Sequence, residues 1–365
     1  LLAHAGCTSS SNAGDVVAPL HLSSTFERAP DGTYPHGYQY SRTDNPTRSD
    51  LEATLAEMEG GAAGAAFASG MAAALTVLQG LPAGARVLLP DDVYYGVRKL
   101  ATEVFAERLS FLDVDLTDPG ALDAALRDDT ALVWIETPSN PLLKITDIAA
   151  VVEQAHDAGA RVLVDATWTT PLLQRPLDLG ADLVLHSLTK YLSGHSDVLG
   201  GALVTTKDDD LWQQLRTVQQ TGGSVLDPFS AWLVLRGIRS LAPRLRQQCA
   251  SARRIAHFLY AHDRVTAVHY PGLPDHPGHA IASAQMQDYG AMCSFEVDGG
   301  RDAAMAVAAR AETFRRATSL GGTESLIEHR ASIEPEASPT PEGLLRLSIG
   351  LEHVDDLLTD LGRAL

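Results

Sequence analysis

The sequence predicts an α/β fold built on a parallel sheet, followed by a smaller α+β unit. Three observations carry that prediction. The short apolar runs "ALVWIE" (131–136) and "RVLVDA" (161–166) bracket a helical stripe; "ADLVLHS" (181–187) and "GGALVTT" (200–206) add two further runs; and the pattern changes after about residue 240. A buried strand, a helix and a second buried strand form a βαβ unit, whose strands must run parallel.

Taken in order, the first fifty residues are rich in Ser, Thr, Pro, Gly and Tyr with little periodicity, and read as an extended arm over 1–48. In "SDLEATLAEMEGG", Ser49 can cap a helix whose apolar face is Leu51, Leu55 and Met58, stopped by Gly60 and Gly61. In "ITDIAAVVEQAHDAG", Ile148, Val151, Val152 and Ala155 make the helical stripe, ended by Gly159. Ligands in such sheets sit beyond the carboxyl ends of the strands, where Glu136, Asp165 and the stretch from His186 to Lys190 fall.

Beyond residue 240 come a long helix, "RLRQQCASARRIAHFLYAHD", a linker, "YPGLPDHPGH", a strand, "AMCSFEVDGG", a helix, "DAAMAVAARAE", a strand, "LLRLSIG", and a final helix. The division is therefore an arm over 1–48, a large domain over 49–240 and a small domain over 241–365.

Composition narrows the function. The chain has 28 basic and 46 acidic side chains and a formal charge of -18, which repels polyanions and leaves no footprint for nucleic acid or an anionic membrane. Any phosphate must be held locally, by backbone N–H groups, hydroxyls and a placed arginine. Cys7, Cys249 and Cys293 are odd in number and far apart, so neither a disulfide framework nor a metal cluster is expected. There is no run of 18 apolar residues, and "LLAHAGCTSS" lacks the basic end and cleavage site of a secretory signal. A reducing cytoplasm is the expected compartment.

Chemistry concentrates in a few places. Lys190, in "HSLTKYLSGHSD", stands directly after an apolar strand. A lysine desolvated in a concave site has a depressed pKa and more free amine, which suits Schiff-base chemistry; an ordinary loop lysine is the alternative. Asp165 closes an apolar strand and needs a cationic or hydrogen-bonding mate, for which a pyridinium nitrogen or the following turn would serve. "FASGMAAALTVL" sets Ser69, Gly70 and Met71 at a helix mouth, where N–H groups and the dipole favour a phosphate, and Ser187 and Thr189 can add hydroxyls. Tyr94 or Tyr95 could lay a ring against a flat cofactor, and Tyr40 and Arg42 lie in the early arm.

Together "YSRTDNPTR", "FASGMAA", "DDVYYG", "VWIETPSNP", "VLVDATWTTP", "HSLTKYLSGHSDVLGG", "YPGLPDHP", "SLGGTESLIEH" and "LLRLSIGLE" resemble, in order and spacing over nearly the whole chain, the pyridoxal-phosphate enzymes of cysteine and methionine metabolism. Among these trans-sulfuration enzymes it is most similar to the cystathionine γ-lyases and γ-synthases. The resemblance implies a fold-type I, aspartate-aminotransferase-like subunit that binds pyridoxal 5'-phosphate, in a homotetramer of catalytic dimers. It implies that Lys190 carries the cofactor through an imine and shuttles protons, while Asp165 pairs with the pyridinium nitrogen. Thr167 and Asn140 would lie near the ring; Gly70, Met71, Ser187 and Thr189 would bind phosphate; Tyr40 and Arg42 would reach the neighbouring subunit's phosphate. Tyr94 would stack on the ring and, deprotonated, act as a base, and Arg346 would clamp the substrate carboxylate with Ser319 and Asn140.

The departures bear on specificity. Tyr95 stands where many relatives have glycine, and Gly96 where methionine γ-lyases usually carry cysteine. Thr318 replaces a glutamate thought to favour an amino group on a distal substrate arm. The stretch between "EHRASIE" and "LLRLSIG" is short and Pro-rich, without the usual Met-Thr-His run, and Gly200 replaces a hydrophobic residue. Ser319 and its block speak for γ-chemistry over β-lyases. The implied activity is α,γ-elimination on a small cystathionine-like or γ-substituted amino acid, giving a 2-oxo acid, ammonia and a thiol. The alternatives are γ-replacement on an activated homoserine and, from another class, a cofactor-binding protein without turnover.

Overall fold

Seven short strands form the larger sheet of the computed structural model, which describes residues 1–6, 14–334, 338 and 340–365. They are β1 (Ala63–Phe67), β2 (Arg86–Pro90), β3 (Ser110–Val114), β4 (Thr130–Glu136), β5 (Arg161–Asp165), β6 (Leu183–Ser187) and β7 (Gly201–Thr205), in the order β1-β7-β6-β5-β4-β2-β3. Neighbours from β6 to β3 pair in parallel, whereas β7 runs antiparallel to both β6 and β1. The "GGALVTT" run is thus a strand that breaks the parallel pattern. It follows β6 through the irregular segment 188–200 with no crossover helix, so the chain returns in the opposite direction.

Helix α1 (Pro46–Glu59) begins four residues earlier than the Ser49 cap predicts. Asn45 is the cap, accepting from Thr47 N and Arg48 N, with Pro46 in the first turn. Proline's fixed φ and missing N–H suit that position, and Ser49 lies inside the helix with its hydroxyl on Asp44 Oδ1 and Asn45 O. Gly60 ends the helix at φ 71°, left-handed backbone that glycine adopts readily. Helix α2 (Gly70–Gly80) follows β1 directly, and the helix Ile148–Asp157 buries Ile148, Val151, Val152 and Ala155, the stripe read from the sequence.

The second sheet holds β8 (Val265–His269), β9 (Met292–Val297), β10 (Arg315–Arg316), β11 (Leu326–His329) and β12 (Leu344–Ser348), in the order β10-β11-β12-β9-β8. It is antiparallel except between β10 and β11. The sequence points to β9, β12 and the helices Leu241–Tyr260, Gly300–Arg310 and Val354–Ala364, but not to β8, which is only half-buried, nor to β10 and β11, which are two and four residues long. Leu55 of α1, Leu245, Phe295 and Leu347 belong to one buried cluster, so the two sheets share a core. Val87, Leu132, Leu163 and Leu203, on the face of the larger sheet that carries α2, form a second.

Cys249 and Cys293 are buried free thiols; Cys7 lies outside the described residues, as do 335–337 and 339 of the Pro-rich stretch. No described helix is long and apolar enough to cross a membrane. Among the described residues no group of three or more His, Cys, Asp or Glu side chains could hold a metal ion.

Candidate active site

A cavity of about 310 Å³ opens at the carboxyl ends of β4, β5 and β6. Glu136, Asp165 and Ser187, each the last residue of its strand, line it. Lys190 enters from the turn after β6, where its N–H donates to Ser187 O at 3.2 Å. Its Nζ donates to Ser319 Oγ at 2.8 Å. Burial pushes the amine down to about 8, and the Arg346 and Arg330 guanidiniums push the same way while Glu328 opposes them.

Asp165 lies across from Glu136 in the β4–β5 register. Its Oδ1 accepts from Thr167 N at 3.0 Å, so the carboxylate caps the following turn while also lining the cavity. No arginine or lysine pairs with it among the described residues; burial raises its pKa, opposed by Thr167 and by His186. Thr167 Oγ1 in turn accepts from Ser187 N at 2.8 Å, tying the ends of β5 and β6 together. His186 itself turns away from the cavity into the core, 2.5 Å from Glu59 Oε1.

One end of the cavity is suited to a phosphate. Ser69 caps α2, accepting from Ala72 N at 3.0 Å, and the first intrahelical backbone bond runs from Ala73 N to Ser69 O, so the N–H groups of Gly70 and Met71 precede the ladder. Ser187 and Thr189 line the same cavity, and a Cβ on Gly70 would sit 3.2 Å from Ser187 Cβ. Gly201 of β7 crosses closer still: a Cβ there would overlap Ser69 O and lie 2.7 Å from Gly70 Cα.

Tyr94 and Tyr95 both line the cavity, their rings edge to face with centroids 4.7 Å apart. Tyr94 N donates to Glu136 Oε2 at 2.8 Å. Burial, Tyr95 and Glu136 push the Tyr94 phenol up, with Arg330 opposing. This direction favours the neutral phenol over the deprotonated one expected of Tyr94, because a phenolate beside a second phenol and a carboxyl is disfavoured.

At the other end stands Arg346 of β12, 3% exposed. It donates to Asn140 Oδ1 at 2.9 Å, Ser319 O at 3.0 Å and Glu328 Oε2 at 2.6 Å, and burial lowers its pKa to about 10. Ser319 adopts φ 83°, a strained conformation for a serine, and thereby presents its hydroxyl to Lys190 and its carbonyl to Arg346. Thr318 borders the cavity beside it.

Every residue picked out from the sequence for this site lines the cavity except Tyr40 and Arg42. Tyr40 is 45% exposed, and Arg42 sits over its ring while donating to Gln220 O at 2.6 Å. Sequence reasoning missed Arg330, Glu328, Trp134 and Trp168. Arg330 and Glu328 flank His329 at the end of β11, where charges follow the apolar "SLI"; that abrupt change was the available signal.

A sequence profile of the Cys/Met metabolism PLP-dependent enzymes matches residues 1–365. The chain belongs to this family. Among curated relatives, the cystathionine gamma-synthase of Mycobacterium tuberculosis (strain ATCC 25618 / H37Rv) is 46% identical over 369 residues, covering 99% of this chain and 95% of that one. The cystathionine gamma-lyase of Bacillus subtilis (strain 168) is 43% identical over 375 residues, covering 100% and 98%. Among solved structures, a cystathionine gamma synthase from Xanthomonas oryzae pv. oryzae, in complex with aminoacrylate and cysteine, superposes with a TM-score of 0.95 at 44% identity over 100% of this chain and 97% of that one.

The enzyme is therefore dependent on pyridoxal phosphate, and the donor set fits that group. Asp165 offers a half-buried carboxylate without a cationic partner among the described residues, Lys190 a desolvated amine, and the α2 terminus with Ser187 and Thr189 an anion cradle.

Proposed function

We propose that this enzyme catalyses α,γ-elimination on a γ-substituted amino acid such as cystathionine, releasing a 2-oxo acid, ammonia and a thiol. The observation that carries the reading is the convergence of Lys190, Asp165 and Arg346 on one cavity. When bound, pyridoxal phosphate supplies an electron sink for the charge left at the substrate's α-carbon. Asp165 would hold the proton on the ring nitrogen, and Gly70, Met71, Ser187 and Thr189 would hold the phosphate, with Thr167 and Asn140 beside the ring. Arg346 receives the substrate's α-carboxylate on the N–H groups left free by Asn140, Ser319 and Glu328. The α C–H is then turned toward Lys190, whose Nζ takes that proton and afterwards one from the β-carbon, and the electron pair left at Cβ forms the Cβ–Cγ double bond as the Cγ–heteroatom bond breaks. Ser319 bonds the amine and the guanidinium together, and so sets their separation. Tyr94 would stack on the ring and, as a neutral phenol, would give a proton to the departing γ-heteroatom. Water then completes the release of the 2-oxo acid and ammonia.

The second reading is γ-replacement: the same site accepts a thiol instead of expelling one. It is favoured by the cystathionine gamma-synthase relatives at 46% identity and by Thr318, a neutral side chain. Incubation with cystathionine should give 2-oxobutanoate, ammonia and cysteine. Silence there, with cystathionine formed from an activated homoserine plus cysteine, selects the synthase; silence in both overturns the reading.

The assembly belongs to this proposal. Tyr40 and Arg42, exposed in the 1–48 arm, reach the phosphate of a second subunit in a homotetramer of catalytic dimers, with 49–240 and 241–365 as the large and small domains. The buried thiols Cys249 and Cys293, pushed up by burial to about 12 and further still, suit a cytoplasmic enzyme.

A further inference from the structure

Arg346 has a neighbour that the reaction above does not use. Arg330 lines the same cavity and is 3% exposed. Its NH1 donates to Glu328 Oε2 at 2.9 Å, the oxygen that takes Arg346 NH2 at 2.6 Å. One carboxylate oxygen therefore holds two guanidiniums. The other side of Arg330 is fixed by Glu334 Oε1, through Nε at 3.1 Å and NH2 at 2.5 Å. These three bonds leave about two of the five guanidinium N–H groups unspent, as three bonds do at Arg346. Arg330 lines this cavity together with Lys190 and Tyr94, and its charge disfavours an ammonium at Lys190.

We propose that Arg330 is a specificity-determining residue: a second carboxylate-binding fork that receives an acid group on the γ-substituent while Arg346 holds the α-carboxylate. This rests on the γ-chemistry proposed above. Two buried guanidiniums locked in fixed relative pose by Glu328 form a ruler for a substrate with carboxylates at both ends. Thr318, which lines the same cavity, is uncharged and so does not oppose an anion there. Glu328 and Glu334 orient Arg330 and moderate its charge, so a neutral γ-substituent is admitted but gains nothing from it. Two substrate types carry the required group: a homoserine esterified by a dicarboxylic acid, and a thioether whose far arm is an amino acid.

The test uses the holoenzyme and matched pairs. O-succinylhomoserine against O-acetylhomoserine probes the ester source, and cystathionine against S-ethylhomocysteine probes the thioether source. In the wild type the acid-bearing member of at least one pair should have the higher kcat/KM, and Arg330→Gln should cut that ratio by about 10- to 100-fold, the range for losing a charged hydrogen bond. The pair whose ratio falls names the source. Independently of turnover, calorimetry should show glutarate binding more tightly than butyrate to the wild type and losing that advantage in Arg330→Gln. If Arg330→Gln lacks the cofactor's visible absorption, Arg330→Lys should give an intermediate ratio, and Glu334→Gln should raise it by removing a negative charge that offsets the Arg330 guanidinium. Unchanged ratios and an unchanged glutarate preference overturn the inference. If the wild type turns over none of the four compounds but Arg330→Gln still abolishes the glutarate preference, the proposed reaction fails and the fork stands.

Discussion

Lys190 Nζ and Ser319 Oγ, 129 residues apart in sequence, are joined by a 2.8 Å hydrogen bond inside the cavity. The bond spans the two sheets, since Lys190 follows β6 and Ser319 lies ahead of β11. It also places the amine beside Arg346, which takes the carbonyl of the same serine. Ser319→Ala removes the hydroxyl but keeps the backbone. It is expected to lower kcat by about 10- to 100-fold, the range for one directed hydrogen bond, with little change in cofactor content by absorption.

The amine should show its burial in the cofactor-free protein. Lys190 falls to about 8 from 10.5 on folding. Below pH 8 the native chain buries an ammonium, a penalty; between pH 8 and 10.5 the unfolded chain keeps a proton the native chain has shed, so stability rises with pH. Lys190→Met should therefore be more stable than the wild type at pH 7, by about 1–3 kcal/mol, and the gap should close by about pH 10.5. Urea melts at the two pH values measure this.

Arg346→Lys keeps the charge and loses the fork. Its point charge cannot serve Asn140, Ser319, Glu328 and a substrate carboxylate together. The expected result is a rise in KM of about 100-fold, near 3 kcal/mol, with a smaller fall in kcat. Steady-state kinetics on the substrate found active decides it.

Gly201→Ala tests the anion cradle. The added Cβ would overlap Ser69 O, backbone that cannot move without shifting the start of α2. Cofactor affinity should fall at least tenfold, and the melting temperature should fall with it, by an overpacking term of about 1–3 kcal/mol. Fluorimetric titration with pyridoxal phosphate and a thermal melt read the two effects.

Acid stability has an identifiable contributor in His276. Burial, followed by His269 and His279, lowers it to about 4 from 6.5, and its Nδ1 accepts from Gly278 N at 3.1 Å. As pH falls from 6.5 to 4 the unfolded chain takes up a proton that the native chain refuses, so stability drops through that window. His276→Gln should reduce the loss by about 1–2 kcal/mol, allowing for partial solvent screening. Melts at pH 7 and 4.5 measure it.

Much of the site was legible because its residues sit at strand ends and helix caps, which leave marks in sequence. Asp165 closes "RVLVD", and Ser69 precedes an apolar helix. The antiparallel β7 was not legible, since an apolar run carries no sign of direction. Nor was the Asn45 cap, where Asn-Pro outcompeted a serine four residues on. Arg330 escaped because its role depends on Glu328 and Arg346, brought together by β11–β12 pairing across about twenty residues of sequence.

The central claim is a covalent bond between the cofactor and one amine, and borohydride reduction of the holoenzyme followed by peptide mass spectrometry tests it most directly. The account predicts a pyridoxyl group on Lys190, in the peptide containing "HSLTKYLSGH", with loss of the visible band. A label on any other lysine, or none on a protein that retains its absorption, would contradict it.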